Sequence, residues 1–218
     1  MKNITLFVLI SFVIFFSAYI GKIYSQVTDK DGNVYKTVTI GKQEWTTENL
    51  TVEHYRNGDA IPQVQDAAEW ANLKTGAWCY YENDSKNGKI YGKLYNWYAV
   101  NDPRGLTPEG WHIASDAEWK QLIDFSGGEK TAGKKLKDKS GWFKEGNGTN
   151  ESGFTSIPGG IRDVDGSFYD INKFGCFWTS SENSKTSAWY YFLIHNYTDV
   201  ARFEGGKERG LSIRSMKD

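Results

Sequence analysis

Leu106-Thr-Pro-Glu-Gly-Trp-His-Ile-Ala-Ser-Asp-Ala-Glu-Trp-Lys-Gln-Leu-Ile-Asp-Phe125 carries the reading of the whole chain. Pro108 and Gly110 mark a turn, and residues 111–114 form a short apolar run of strand type. Ser115 then stands at a helix start, with Glu118 three residues on to close a capping box. Trp119, Leu122, Ile123 and Phe125 fall on one helical face, and Gly127-Gly128 ends the helix. A strand, a boxed cap and a Trp-bearing amphipathic helix predict the nucleus of a core.

On the N-terminal side, residues 34–40 alternate in strand fashion and turn at Gly41-Lys42 into residues 43–46, a hairpin. Asp66 with Glu69 repeats the capping logic and predicts a short helix through Trp70 and Leu73. Residues 77–81 read as an aromatic strand closed by the turn residues Asn83, Asp84, Asn87 and Gly88. Residues 91–100 read as a helix, because Leu94, Trp97 and Tyr98 have helical spacing. On the C-terminal side, Lys134, Lys135, Lys137 and Lys139 surround a single Leu136, which predicts a solvated helical turn. Residues 141–153 read as a long exposed loop bearing Trp142 and Phe143. Short strands then follow over 154–157, 161–164, 167–171, 176–180, 188–195, 200–204 and 211–216, punctuated by Asp165-Gly166 and Gly205-Gly206. Helices followed by strands make an α+β class, and 23 glycines against four prolines agree with a loop-rich fold. No linker divides residues 26–218, which read as one domain.

Residues 1–25 differ from the rest. Lys2 precedes a nearly unbroken apolar run from Ile4 to Ile20, with small residues at Ala18 and Ser25. This pattern predicts a secretory signal cut after Ser25; an uncleaved anchor is the other reading of the same run. The expected location is therefore secreted or at the cell surface, with the periplasm as a further compartment. The net charge is −1 and the leader holds Lys2 and Lys22, so the remainder carries −1 − 2 = −3. Such a balance gives no electrostatic footprint for nucleic acid or for an anionic membrane. Cys79 and Cys176 either form one bridge in an oxidising compartment or lie free and buried, and the balance tips slightly to free.

Several ordered motifs resemble the Fibrobacter succinogenes major paralogous domain, a family of secreted bacterial domains. They are Asp31-Gly-Asn33, Thr39-Ile-Gly-Lys-Gln-Glu-Trp45, Trp78-Cys-Tyr-Tyr81 and Tyr91-Gly-Lys-Leu-Tyr-Asn-Trp-Tyr-Ala-Val100. They continue with Gly110-Trp-His112, Ser115-Asp-Ala-Glu-Trp119, Pro158-Gly-Gly-Ile-Arg162, Phe177-Trp-Thr-Ser-Ser181 and Leu211-Ser-Ile-Arg-Ser-Met-Lys-Asp218. The resemblance implies a C-type-lectin-like fold, two main short helices with a twisted antiparallel sheet under long loops. Members commonly carry cysteine where this chain has Thr107 and Ser215. If those mark one lost disulfide, the first turn of the nucleus and the last strand are neighbours.

Candidate chemistry is sparse. Asp163-Val-Asp-Gly-Ser167 and Asp29-Lys-Asp-Gly-Asn33 space their carboxylates like calcium loops, but Phe174 and Ile40 stand where a helix–loop–helix site needs glutamate. Turn chemistry explains these aspartates better. His54, His112 and His195 lack metal-ligand spacing, and Cys176 with His195 is the one thiol–imidazole pair to consider. No metal and no cofactor is expected, and no catalytic residue is assigned. The remaining signal is aromatic: Trp142, Phe143, Phe168 and Tyr169 are the expected ligand-binding residues, placed to stack on sugar rings or to anchor a protein. The expectation is a non-catalytic exported module that binds a glycan. The alternative is a structural or adhesive envelope protein that recognises another protein.

Overall fold

The computed structural model describes residues 25–218; the leader expected over residues 1–25 lies, apart from Ser25, outside them. Over the described residues the fold is α+β, with antiparallel sheets and five short α-helices. Strands β1 (Ser25–Thr28), β2 (Val34–Ile40) and β3 (Gln43–Thr46) form successive hairpins. The β2 pattern puts Tyr35, Thr37, Val38 and Ile40 inside. Helix α1 (Ala67–Ala71) starts at Asp66, whose side chain accepts from Glu69 N–H, as the sequence predicts.

The next stretch departs from expectation. Strand β4 (Trp78–Cys79) is only two residues long, and the expected turn at 83–88 is instead helix α2 (Ser85–Tyr91). Asp84 supplies the cap by accepting from Lys86 N–H. Gly88 sits inside this helix because Tyr80 lies against it: a Cβ there would fall 2.2 Å from the tyrosine ring. The expected helix over 91–100 splits into strand β5 (Leu94–Tyr95) and helix α3 (Trp97–Val100). Gly92, at φ +77°, breaks the path, and Asn96 restarts it by capping Ala99 N–H.

The central nucleus forms as read. Strand β6 (Trp111–Ile113) leads into helix α4 (Asp116–Phe125), where Ser115 and Glu118 make both halves of the capping box. Trp119, Leu122 and Ile123 are buried, whereas Phe125 turns outward at 67 % exposed. The Trp119 ring is the hub of one core: it meets Trp45, Phe154, Phe177 and Tyr191 at 5.1–5.5 Å between centroids. Aromatic contacts of this geometry add about 0.5–1.5 kcal/mol each beyond burial.

Helix α5 (Glu129–Leu136) follows. The expected strand at 154–157 is absent, because Thr155 adopts a left-handed φ of +57° and residue 156 makes only an isolated bridge to Lys137. Strands β7 (Ile161–Arg162) and β8 (Phe168–Tyr169) form a small hairpin. Strands β9 (Phe174–Glu182), β10 (Ser187–Ile194) and β11 (Ala201–Gly206) form a sheet in the order β11-β10-β9. Strand β12 (Ser215–Lys217) returns to the first sheet, whose order is β1-β2-β3-β12-β6. Its Ser215 lies opposite Ile113 of β6, so the last strand neighbours the strand that follows the first turn. Residues 210–212 touch three other elements, by bridges at Arg162–Gly210, Tyr95–Leu211 and Phe177–Ser212. Cys79 and Cys176 are free and buried in different core clusters. Among the described residues no helix is long and apolar enough to cross a membrane.

Candidate functional site

The four aromatics named from sequence do not form one surface. Trp142 is 4 % exposed, which corrects its placement in an exposed loop. Its indole Nε1 donates to Ser156 O at 3.1 Å, its ring packs near Gly175, and the Lys137 ammonium stands 5.1 Å from the ring centre. No ligand can stack on it. Lys137 is likewise no solvated lysine: it is buried, with Nζ donating to the carbonyls of Ile194, His195 and Tyr197 at 2.8–3.1 Å. Phe143 is 41 % exposed and rests edge-on against His195. Phe168 and Tyr169 are neighbours on β8 and therefore face opposite sides. Phe168 packs inward on Tyr81 at 5.3 Å, and Tyr169 is exposed. Cys176 lies opposite Phe192 in the sheet, and His195 stands three residues further on, just past the end of β10, against Phe143. Burial, the largest influence, holds the Cys176 thiol well above its usual range.

The turn aspartates are occupied by the turns themselves. Asp29 accepts from Asp31 N–H, Asn33 N–H, Asn33 Nδ2 and Tyr35 Oη at 2.6–2.9 Å. Asp163 accepts from Val164 N–H and from Arg209 Nε, and Asp165 from Ser167 N–H. Among the described residues no three His, Cys, Asp or Glu side chains converge as a metal site.

The main concavity lies elsewhere. Two adjoining depressions of about 420 and 590 Å³ share Asn33, Thr51, Gly88 and Lys89. One wall is the start of β2 with the extended segment after β3; the other is α2. Tyr91 borders the first depression and Tyr80 the second, both half-buried. Burial pushes both phenols upward. Asp31, Glu53 and His54 line the second depression. His54 Nδ1 meets Asp31 Oδ1 at 2.6 Å, and Asp31 also accepts from the backbone N–H of Glu53. Burial alone would raise the Asp31 carboxyl; the Glu53 amide and His54 outweigh it and hold the carboxyl low. Lys93 is buried beneath, its ammonium 2.8 Å from Glu53 Oε1 and 4.2 Å above the Trp78 ring. Burial lowers its pKa, with Glu53 pulling the other way. Lys89 is exposed at the rim and makes no ion pair among the described residues. Thus a concave site offers two tyrosine rings, carboxylates, an amide, a hydroxyl and an ammonium. Thr155 and Ile157 also line the first depression, and Tyr91 Oη donates to Asn172 Oδ1 at 2.5 Å. The cleft escapes a reading of the sequence because its tyrosines pattern as a strand and a helix, and α2 as a turn.

A second surface is aromatic. On one face of the three-stranded sheet, Tyr190 pairs with Trp178 and Phe203, Phe192 with Cys176, and Ile194 with Phe174. Phe174, Phe192, Phe203 and Tyr190 touch in sequence at 4.6–6.1 Å and remain partly exposed. Gly205 lets the Tyr190 ring lie flat: a Cβ there would approach that ring to 3.1 Å. At the end of the strip Arg209 Nη1 donates to Tyr190 Oη at 3.2 Å while its Nε pairs with Asp163.

Fold and site together define an α+β domain with one polar cleft and one aromatic sheet face. The family described as Fibrobacter succinogenes major domain matches residues 38–217, and the chain belongs to that family. No curated protein and no solved structure matches the chain.

Proposed function

We propose that this is an exported, non-catalytic binding module that takes a glycan in the cleft between β2 and α2. The observation that carries the reading is the cleft itself: Tyr80 and Tyr91 stand among Asp31, Glu53, Asn33 and Thr51 in a concave site. Aromatic rings supply flat apolar faces for a sugar ring, and the polar groups answer its hydroxyls. The arrangement is C-type-lectin-like in this reading. Its support is the pairing of the first strands with the last in one sheet, with long loops gathered after α5.

Binding of the full chain to a broad glycan panel, with calcium and with chelator, tests the reading. Saturable binding should survive chelation. Lys89→Ala and Tyr91→Ala should each weaken it about tenfold or more, equivalent to about 1.4 kcal/mol. Phe143→Ala, outside the cleft, should leave it unchanged. A blank across the panel from folded protein would overturn the glycan reading and favour a protein partner in the envelope.

A further inference from the structure

Strand β11 is the outer strand of its sheet. One step beyond its ladder, Lys207 N–H donates to Thr186 O at 3.0 Å, continuing the register in which Ser187 faces Gly206. Antiparallel pairs alternate between those that exchange hydrogen bonds and those that do not. The pairs 188–205, 190–203 and 192–201 therefore bond within the sheet. The N–H and C=O groups of Arg202 and Glu204 point away from β10, and neither residue has a backbone partner there among the described residues. Proline, which would blunt the edge, is absent from the strand.

Charges on an edge strand normally discourage pairing with a neighbour. Here they alternate in sign about one aromatic residue, Arg202-Phe203-Glu204. When two copies pair antiparallel about a two-fold axis at Phe203, each Arg202 stands opposite the other copy's Glu204. Opposite charges directly across a ladder stabilise it and like charges destabilise it, so the strand is complementary to itself. The existing contacts leave room for this. Arg202 uses Nε and Nη2 on Asp116 and keeps Nη1, while Glu204 accepts from Asn183 Nδ2 at Oε2 and keeps Oε1. On the other face Phe203, 47 % exposed, meets its counterpart, and the strip through Tyr190 and Phe192 runs on from one copy to the next.

We propose that the chain forms a two-fold dimer by pairing β11 with β11 of a second copy, joining two three-stranded sheets into one of six. This proposal stands apart from the cleft and from its ligand.

Sedimentation of the full chain across a concentration series reads the association directly. The wild type should show a monomer–dimer equilibrium. Glu204→Pro removes an outward N–H and leaves the β10 ladder intact, so it should weaken dimerisation by at least about tenfold. Arg202→Glu and Glu204→Arg should each abolish self-association, since each places like charges opposite one another. Mixed together, the two variants should recover it, because two arginines on one chain then face two glutamates on the other. Circular dichroism and tryptophan fluorescence establish that each variant is folded. If Arg202→Glu unfolds on losing Asp116, Glu204→Arg and Glu204→Pro still decide the matter. A wild type that stays monomeric at high concentration would overturn the proposal, as would a dimer indifferent to Glu204→Pro.

Discussion

At the scale of single residues, buried cations that serve backbone carbonyls recur through the molecule. Arg214 is 1 % exposed and donates to Asn49 Oδ1 and to the carbonyls of Thr46, Phe154 and Thr155 at 2.6–3.0 Å. Arg162 holds the carbonyls of Gly166, Val64, Gln65 and Asp66 in the same way, with its guanidinium 4.4 Å from the Trp70 ring. Irregular backbone cannot satisfy its own carbonyls inside a core, and a five-donor fork fixes several at once. Both arginines stand in motifs that the sequence displays, yet no pattern in the chain announces that they are buried with no carboxylate paired to them among the described residues. The same blindness puts Lys137 on a solvated face. Arg214→Lys should cost about 3 kcal/mol, because a lysine keeps the buried charge and loses most of its fixed donors. Urea unfolding measures this; a loss below about 1 kcal/mol would mean the carbonyls find other partners.

Elements are legible where their signals are local. The Ser115–Glu118 box lies within four residues and forms as read, with Ser115 N–H donating to Glu118 Oε2 at 2.7 Å. Helix α2 is hidden because Asp84 and Gly88 have turn chemistry. What lets a glycine sit in that helix is Tyr80, which packs against it from outside. The aromatic sheet face is hidden for a related reason. Residues 188–194 are apolar at odd and even positions alike, so a period of two cannot tell the buried Tyr191 and Leu193 from the half-exposed Tyr190 and Phe192. The capping box also predicts a pH response. Burial raises the Glu118 carboxyl, but the Ser115 amide and hydroxyl and the nearby His112 outweigh it and hold the carboxyl low. A folded-state pKa below the unfolded one gives stability that is complete above the unfolded value. That stability disappears as pH falls from about 4.3 through the lowered value. Glu118→Gln should be less stable at pH 7 and should show a shallower decline in acid. Parallel acid profiles for the two proteins would exclude Glu118 as a source of the dependence.

For the molecule as a whole, the C-terminal segment ties the parts together. Residues 210–212 bridge to β5, β7 and β9, and β12 lies between β3 and β6. Strand β6 belongs to the central nucleus, so a ladder between β12 and β6 joins chain segments about a hundred residues apart. Thr107, in the turn before β6, is buried and donates its hydroxyl to Trp111 O at 2.6 Å. Ser215, on β12, is fully buried, and its hydroxyl has no hydrogen-bond partner among the described residues. Such an unpaired buried hydroxyl is unfavourable, and a sulfur in its place loses nothing. Replacing both residues by cysteine should therefore give an intramolecular disulfide on oxidation. The loop it closes is about 100 residues, for which chain entropy allows up to about 4–5 kcal/mol of stabilisation. Denaturation of the Thr107→Cys, Ser215→Cys double variant, oxidised against reduced, measures the gain. The native thiols do not interfere: burial pushes Cys79 up to about 12 and holds Cys176 well above the usual thiol range, so both stay protonated and slow to exchange at neutral pH. Free thiols at 107 and 215 in a folded, oxidised sample would show that the ladder between β6 and β12 does not bring these two side chains within bonding reach.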